Sequence, residues 1–253
     1  MLFRSGCHGD GHHHVHDPDR RDGRPEQTVH LMRDLLEDND AIAGMLRRRF
    51  DAAGILCINL MSSPGAGKTS LLEATIGALP AGLRLAVVEG DLETENDADR
   101  IRRHGVQAVQ ITTGVACHLD ADMVRDAVEV LDLAAVDILF VENVGNLVCP
   151  ADFDLGQHLN VVLLSVTEGD DKPAKYPPMF RSADHVVFTK ADLAPHIEEF
   201  DFDRARSAMR SVGGPSHAHT VSAKTGIGLT TWVDWLIGCL EAHRAELAHA
   251  DEC

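Results

Sequence analysis

Short apolar segments that alternate with amphipathic ones constrain the fold of this chain more than any other feature. The apolar segments are rich in valine, isoleucine and leucine at nearly every position, which is typical of strands buried on both faces. They cover residues 55–61, 83–90, 106–112, 137–143, 160–167, 185–190 and 217–223. Helical patterns lie around 69–79, 95–104, 119–131, 200–212 and 228–248. The alternation predicts an α/β fold with a doubly wound, mainly parallel β-sheet flanked by helices, which binds ligands at the carboxyl ends of its strands.

The first part of the chain has a different composition. Residues 1–27 are polar and hold five of the 15 histidines together with Cys7, so we expect a disordered tail that binds metal ions loosely. A purification tag is the alternative origin of these histidines. Residues 28–50 have apolar positions at helical spacing and predict a helix, with a break near Asn39, that packs on the α/β domain. We therefore divide the chain into a tail at 1–27 and one domain with an N-terminal helix at 28–253.

Charge and hydropathy exclude some partners. The net charge is −17, whereas binding to nucleic-acid phosphates requires a basic face, so we expect no nucleic-acid partner. No apolar stretch reaches the ~18 to 20 residues of a membrane span, and the N-terminus does not resemble a signal peptide. We therefore expect a cytoplasmic protein without a membrane contact. In such a protein the six cysteines favour metal binding or burial over a disulfide framework.

The segment after the first predicted strand has the pattern of a phosphate-binding loop. Residues 62–69, SSPGAGKT, match G-x-x-x-x-G-K-[ST] except that Ser62 replaces the first glycine. Small residues let backbone N–H groups turn toward phosphate oxygens beside the positive end of the next helix. We expect Lys68 to contact the β- and γ-phosphates and Thr69 to bind Mg²⁺ through its hydroxyl. The predicted nucleotide contacts of this loop are Gly65, Ala66, Gly67, Lys68, Thr69 and Ser70.

Acidic residues follow two other predicted strands, and Mg²⁺ needs carboxylates directly or through water. Glu89 and Asp91 follow the second strand, and Glu142 follows the fourth. Residues 142–145 have the shape of the D-x-x-G element of GTPases with Glu in place of Asp, so we expect the Gly145 N–H to contact the γ-phosphate. An ordinary solvated loop carboxylate is the alternative for each acid. The predicted catalytic residues are Lys68, Asp91 and Glu142, and the predicted Mg²⁺ ligands are Thr69, Asp91 and Glu142.

Two later segments resemble the guanine-reading elements of GTPases. In FTKADL (188–193), Asp192 can accept hydrogen bonds from N1–H and N2–H₂ of guanine, and the stem of Lys190 can cover the ring. Thr189 replaces the usual asparagine, which we expect to weaken the support of this loop. In the companion segment VSAKTG (221–226), we expect the Ala223 backbone N–H to face the base O6. Its predicted contacts are Ser222, Ala223 and Lys224, and the two segments together favour GTP over ATP.

Cysteine and histidine residues follow the third and fourth predicted strands. Cys117 and His118 are adjacent, and Cys149 lies seven residues after Glu142. We expect neighbouring strands to bring the two loops together, where two thiolates and an imidazole suit Ni²⁺ or Zn²⁺. Three ligands leave an exchangeable position or a site shared across a symmetric dimer, and bound GTP would change the metal geometry. Two buried cysteines and a surface histidine are the alternative, and Cys57 and Cys239 are interpreted as core residues.

Over residues 28–248 these motifs resemble the hydrogenase nickel-incorporation GTPases of the HypB family. The resemblance implies a slow P-loop GTPase that dimerises with nucleotide and holds Ni²⁺ or Zn²⁺ at Cys117, His118 and Cys149. It further implies nickel delivery to the large subunit of [NiFe]-hydrogenase, with a HypA-like zinc accessory protein as a partner. Some family members carry an N-terminal C-x-x-C-G-C nickel site, whereas here Cys7 stands among histidines.

Three other functions stay open at the level of sequence. A urease accessory GTPase would carry a Cys-Pro-His metal motif, but here Cys117 and His118 are adjacent. A P-loop kinase acting on a small molecule would usually have a basic lid, and no arginine-rich segment resembles one. A metal-storage protein would use the tail alone and leaves the phosphate loop unexplained. We expect slow hydrolysis, because neither an arginine finger nor a water-orienting glutamine is evident.

Overall fold

The computed structural model describes residues 24–91, 96–114 and 116–250, with side chains described from residue 35 onward. The chain divides into two units, Met1–Leu35 and Leu36–Cys253. The second unit contains all the sites discussed below. Residues 1–23 of the predicted histidine-rich tail lie outside the described residues.

The described elements follow the predicted alternation. The strands are β1 (Leu56–Ser62), β2 (Leu85–Asp91), β3 (Gln107–Thr112), β4 (Ile138–Glu142), β5 (Leu159–Ser165), β6 (His185–Thr189) and β7 (Ala218–Thr220). The helices are α1 (Arg24–Ala53), α2 (Lys68–Ala78), α3 (Asn96–Arg102), α4 (Ala121–Val128), α5 (Lys172–Lys175), α6 (Pro177–Arg181), α7 (Phe202–Ser211) and α8 (Leu229–Ala250).

Across the described residues the strands form one seven-stranded sheet in the order β3-β2-β4-β1-β5-β6-β7. Every pair of neighbours is parallel. Strand β1 is central and buried along its whole length. This confirms the predicted α/β class, and the parallel direction brings the loops after β1, β2, β4 and β6 to one edge of the sheet.

The order of the strands contradicts one prediction. Strands β3 and β4 are not neighbours, because β2 lies between them. The loop after β3 nevertheless reaches the end of β4 by crossing β2 at Gly90, where an added Cβ would lie 2.8 Å from the side chain of Leu119. The Leu119 N–H then donates to Asn143 Oδ1 directly after β4 (3.2 Å). The two loops can therefore meet because Gly90, the penultimate residue of β2, has no side chain.

Helix α1 also differs from its prediction, because it continues unbroken through Asn39. The Asn39 side chain is buried and fully engaged: Nδ2 donates to the Asp154 carbonyl (2.9 Å), and Oδ1 accepts from the Ala121 N–H at the start of α4 (2.9 Å). An asparagine with distant partners does not compete for the backbone of its own helix. The residue that suggested a break is instead a link between α1 and α4.

Apolar side chains fill both faces of the sheet. Leu72 of α2 and Trp232 of α8 pack on one face, and Phe50 of α1 and Val124 of α4 pack on the other. Cys57 is fully buried in β1, as predicted for a core residue, and Cys239 of α8 is half-buried at the margin of the first cluster. None of the described helices combines the length and apolarity needed to cross a membrane.

Candidate functional site

The loop between β1 and α2 forms a cradle of backbone groups. Gly65 and Gly67 have φ angles of 73° and 96°, in the left-handed region that glycine adopts without a Cβ clash. Gly67 is the N-cap of α2 and provides no side-chain cap. The first N–H groups of α2 are therefore left to a ligand, and the helix dipole favours a negatively charged one.

Ser62, the departure from the phosphate-loop pattern, has a specific contact. The Lys68 ammonium donates to Ser62 Oγ (3.1 Å), and that hydroxyl donates to the Ser63 carbonyl (2.7 Å). Both Ser62 and Lys68 are buried. A glycine could not make this contact, so the serine holds the lysine across the loop.

Three carboxylates converge beside the start of α2. Glu89 of β2, Asp97 of α3 and Glu142 of β4 have oxygen atoms within 4.8 Å of one another. The Thr69 hydroxyl donates to Glu142 Oε1 (2.9 Å), while Glu89 Oε2 and Glu142 Oε2 are buried without a hydrogen-bond partner among the described atoms. Buried oxygens in need of positive charge, next to a threonine hydroxyl, fit a Mg²⁺ site.

The protonation of these acids supports the same interpretation. Burial, followed by the charges of Glu142, Asp97 and Asp91, raises the pKa of Glu89 to about 8, although Lys68 opposes the shift. Burial also raises the pKa of Glu142 to about 7, against the opposing effects of the Lys68 ammonium and the Thr69 hydroxyl. Two neighbouring carboxyl groups that resist ionisation are stabilised as anions by a divalent cation.

The composition of this cluster differs from the predicted set of acids. Asp91 lines the same cavity as Lys68 and Glu142 but does not belong to the three converging carboxylates. Asp97 takes part instead, and it was missed because it lies in a helix rather than directly after a strand. The run of acidic residues at 91–99 was the available signal, but its spacing does not identify which member points inward.

A cavity of about 210 Å³ lies beside the phosphate loop, on the side of β6. Asp192 lines it and accepts a hydrogen bond from Ser222 (2.6 Å). Lys190 has φ 56°, unusual for a residue with a side chain, and its ammonium donates to the Gly65 carbonyl (2.7 Å). The remaining predicted contacts that line this cavity are Ala66, Gly67, Ser70, Ala223 and Lys224.

Thr189 corrects another prediction. We expected that a threonine in place of the usual asparagine would weaken the loop, but its hydroxyl donates to the Ala66 carbonyl (2.6 Å). Thr189 is buried at the end of β6. It therefore links the base-side loop directly to the phosphate loop.

The predicted metal ligands come together at the same edge of the sheet. Cys117 Sγ, Cys149 Sγ and a ring nitrogen of His118 all lie within 4.8 Å of one another. The two sulfur atoms are 2.9 Å apart, and Cys117 Sγ is 3.9 Å from His118 Nδ1. The imidazole stacks on Phe153 with 4.0 Å between ring centroids, which fixes its plane. The arrangement offers two soft ligands and one imidazole to a transition metal.

Protonation affects the two kinds of ligand differently. Burial lowers the pKa of His118, although Asp120 and Asp152 oppose the shift, so the ring is neutral at pH 7 and has a free lone pair. The hydrogen bond with Cys117 and partial burial raise the pKa of Cys149. A metal ion would have to displace a proton from this thiol, because only the thiolate is a ligand.

One short segment joins the phosphate loop to the thiols. After β4, Gly145 packs so closely on the phosphate loop that an added Cβ would lie 2.8 Å from Pro64 Cα. The next residue, Asn146, donates to the Cys117 carbonyl (3.3 Å) and accepts from the Val148 N–H (2.8 Å). The segment 142–149 therefore contacts both sites within eight residues.

A second cluster with metal-ligand chemistry was not predicted. Asp51, His158 and His243 lie together at the opposite edge of the sheet, with ligand atoms within 4.8 Å. His158 Nδ1 accepts from the Cys57 N–H (2.9 Å), so its proton is on Nε2, which faces Asp51 Oδ1 at 3.0 Å. That ring has no free lone pair for a metal. We interpret this cluster as a hydrogen-bonded part of the core.

Comparisons with known proteins agree with this geometry. Residues 56–213 match the family described as CobW/HypB/UreG, nucleotide-binding domain. The hydrogenase maturation factor HypB of Rhizobium leguminosarum bv. viciae is 50% identical over 211 residues, covering 83% of this chain and 70% of the relative. The hydrogenase/urease maturation factor HypB of Helicobacter pylori is 47% identical over 218 residues, covering 84% of this chain and 88% of the relative.

Among solved structures, HypB from Helicobacter pylori in complex with nickel superimposes with a TM-score of 0.77 at 41% identity, covering 82% of this chain and 97% of that one. The family match extends over more than half of the chain and includes the phosphate loop and both loops that carry the predicted metal ligands. The chain therefore belongs to the CobW/HypB/UreG family of P-loop GTPases, in its HypB hydrogenase-maturation branch.

Proposed function

We propose that this protein binds GTP with Mg²⁺, hydrolyses it slowly, and carries Ni²⁺ or Zn²⁺ at Cys117, His118 and Cys149 during maturation of [NiFe]-hydrogenase. The observation that carries the proposal is the segment 142–149, which contacts the phosphate loop at Gly145 and the thiol loop through Asn146. A change at the γ-phosphate would reach the metal through this segment.

The nucleotide part of the proposal assigns a task to each group in the cleft. Lys68 and the N-terminus of α2 bind the phosphates, and Asp192 reads guanine while Lys190 flanks it. Thr69 and Glu142 would hold Mg²⁺ together with Glu89, Asp97 or Asp91. When bound, Mg²⁺ neutralises charge on the β- and γ-phosphate oxygens.

Slow hydrolysis is supported by what surrounds Lys68 and Glu142. No arginine or glutamine of the described residues lines that cavity. Arg100, on the nearby helix α3, is engaged by Glu73 and Asp97. The lack of an arginine finger lowers the rate of GTP hydrolysis by roughly 10³- to 10⁵-fold, and slow hydrolysis is suited to a molecular switch.

The metal part of the proposal treats nickel as cargo. Three ligands from one chain leave a position for exchange or for sharing, so we propose a homodimer that forms with nucleotide and completes the site. Hydrolysis would loosen the segment 142–149 and release the ion. A HypA-like zinc protein and the hydrogenase large subunit are the proposed partners in loading and delivery.

Metal titration in two nucleotide states tests the proposal. The wild-type protein is titrated with Ni²⁺ and Zn²⁺ in the presence of GDP or a non-hydrolysable GTP analogue, alongside Cys117→Ala and Cys149→Ala. We expect tight binding that differs between nucleotides in the wild type and is lost in both variants. Cys239→Ala, a half-buried thiol on α8, is the matched control and should bind as the wild type does. Equal affinity in both nucleotide states would contradict the coupling.

A second recipient is favoured by one of the relatives. The Helicobacter pylori protein is named a hydrogenase/urease maturation factor, so we also consider urease maturation. A strain lacking this gene should lose hydrogenase activity, and excess nickel in the medium should restore it. A parallel loss of urease activity would establish the second recipient, and unchanged urease activity would exclude it.

A further inference from the structure

We propose that Cys117 and Cys149 form a reversible disulfide when no metal ion is bound, and that this bond closes the metal site. Formation of the bond requires only the two thiols. Its consequence for metal carriage rests on the proposed function. The inference starts from the distance between the sulfur atoms and from where the two cysteines lie in the fold.

The sulfur–sulfur distance lies about midway between that of a disulfide and that of a metal site. The two Sγ atoms are 2.9 Å apart. A disulfide requires about 2.05 Å, so the atoms must approach by less than about 1 Å. Two thiolates on a tetrahedral ion with bonds of about 2.3 Å are separated by about 3.8 Å. Oxidation and metal binding therefore move the same two atoms in opposite directions and exclude each other.

The surroundings of the two thiols allow this movement. Cys117 lies in the loop between β3 and α4, and Cys149 begins a short 3-10 turn after β4. Both are half-buried, so a small oxidant can reach them, whereas Cys57 is fully buried inside β1. Each is the nearest thiol to the other among the described cysteines, so an oxidised sulfur at one position is resolved by its neighbour.

The reaction balances with a low-molecular-weight disulfide such as oxidised glutathione. One protein thiolate attacks a glutathione sulfur, forms a mixed disulfide and releases one glutathione thiolate. The second protein thiolate attacks the protein sulfur of that mixed disulfide and releases the other. The two protein thiols lose two electrons and two protons, and one oxidised glutathione becomes two reduced glutathione molecules. Excess reduced glutathione reverses both steps.

The oxidised site cannot hold the cargo. A disulfide has no thiolate, so His118 alone of the three ligands remains. A bound Ni²⁺ or Zn²⁺ ion, in turn, protects both sulfurs from oxidation. Under oxidising conditions the protein would then lose its ability to bind metal at this site. Reduction of the disulfide would restore metal binding.

Peptide mapping of the full chain tests the inference. Metal-free protein is incubated with oxidised glutathione, alkylated, digested and analysed without reduction. We expect a cross-linked pair of peptides containing Cys117 and Cys149 in the wild type and in Cys239→Ser. In Cys149→Ser we expect glutathione to remain on Cys117. Prior loading with Zn²⁺ should slow cross-linking at least tenfold, and dithiothreitol should restore two free thiols.

Two outcomes would overturn the inference. One is glutathione accumulating separately on Cys117 and Cys149 of the wild type, and the other is cross-links only between different chains. Titration of the reduced and oxidised protein with Ni²⁺ separates this failure from that of the proposed function. If the cross-link forms but the reduced protein binds no metal, the proposed metal carriage fails. If the reduced protein binds metal and no cross-link forms, only the disulfide is refuted.

Discussion

At the residue scale, we propose that the choice of guanine over adenine depends on Asp192. Its carboxylate accepts a hydrogen bond from the Ser222 hydroxyl and can still accept hydrogen bonds from a ligand in the cavity that it lines. A carboxylate that accepts from two guanine donors rejects a base that lacks them. The buried hydroxyl of Ser222 keeps the group in one orientation, which matters because a misdirected carboxylate would lose one of the two contacts.

Changing Asp192→Asn should make the protein prefer xanthine nucleotides over guanine nucleotides. The amide can accept from N1–H of xanthine and donate to its O2, but it faces the guanine amino group with a second donor. We expect GTP affinity to fall about 100-fold and xanthosine triphosphate to bind better than GTP. Competition against a fluorescent nucleotide measures both. Ser222→Ala is the control and should weaken both nucleotides without inverting their order. An unchanged ratio in Asp192→Asn would remove this residue from base recognition.

His185 makes folding stability depend on pH. It is buried at the start of β6, where its Nε2 lies 2.6 Å from His219 Nδ1 and its ring stacks on Trp235. Burial, followed by the charges of His219 and His217, lowers the pKa of His185 from 6.5 to about 4. The unfolded chain therefore binds a proton at a higher pH than the folded protein does.

The free energy of unfolding should be at its full value above pH 6.5 and fall as the pH decreases toward 4. We expect this group to contribute up to about 3 kcal/mol to the fall, since one pKa unit corresponds to about 1.4 kcal/mol. Urea denaturation at several pH values measures it. His185→Gln can keep a hydrogen bond to His219 but does not titrate, so its stability should depend less on pH. Equal slopes for the variant and the wild type would contradict the assignment.

At the element scale, Asn39 joins α1 to α4 and to the segment before β5. Helix α4 begins three residues after His118, so α1 helps to position the loop that carries two metal ligands. Most helix starts are capped locally, whereas this backbone N–H is bound by a residue 82 positions earlier in the chain.

Changing Asn39→Ala should lower the free energy of unfolding by about 1 to 3 kcal/mol, because the Ala121 N–H and the Asp154 carbonyl lose a buried partner. Chemical denaturation measures the change. The neighbouring Asp40 is exposed on the same helix, and Asp40→Ala should change stability by no more than about 0.5 kcal/mol. If both variants lowered the free energy of unfolding by similar amounts, the change would reflect helix propensity and not the lost hydrogen bonds of Asn39.

Elements were predicted better than their arrangement. Val-, Ile- and Leu-rich runs predicted β1 to β6 within two residues, because burial on both faces leaves a strong local signal, as in β1 and β4. The seventh predicted run extends three residues beyond the end of β7, which is only partly buried. The position of β2 between β3 and β4 is set by long-range packing, which leaves no local signal in the sequence. Asn39 misled because asparagine usually disfavours a helix interior, and its two distant partners are invisible in sequence.

At the scale of the whole molecule, the two sites are adjacent because their ligands come from loops at one edge of a parallel sheet. That Cys117, His118 and Cys149 come together could be predicted, because each lies in a loop that follows a strand, and the same holds for the base-side residues after β6 and β7. Asp97 and the supporting roles of Ser62 and Thr189 were not, because they depend on side-chain directions. The proposed effect of GTP on the metal site is supported by the contacts of Gly145 with Pro64 and of Asn146 with Cys117.

Asn146 offers a way to separate coupling from binding. Asn146→Asp loses the donor to the Cys117 carbonyl but keeps an acceptor for Val148, and Asn146→Ala loses both of these and the side-chain hydrogen bond with Cys149. We expect both variants to bind nucleotide and Ni²⁺, while the ratio of nickel dissociation constants in GDP and in a GTP analogue moves toward 1. Isothermal titration calorimetry measures that ratio. If both variants keep the wild-type ratio, the coupling uses another route.

Helix α8 also gives the protein a built-in optical probe. The chain has two tryptophans, Trp232 and Trp235, and their rings stack with 5.2 Å between centroids. The indole N–H of Trp232 donates to the Thr75 hydroxyl of α2 (2.9 Å), the helix that begins at the phosphate loop. Tryptophan fluorescence therefore comes from a single patch that is hydrogen-bonded to α2. We expect nucleotide binding at the phosphate loop to change this emission, so that binding can be followed in real time on the unlabelled chain.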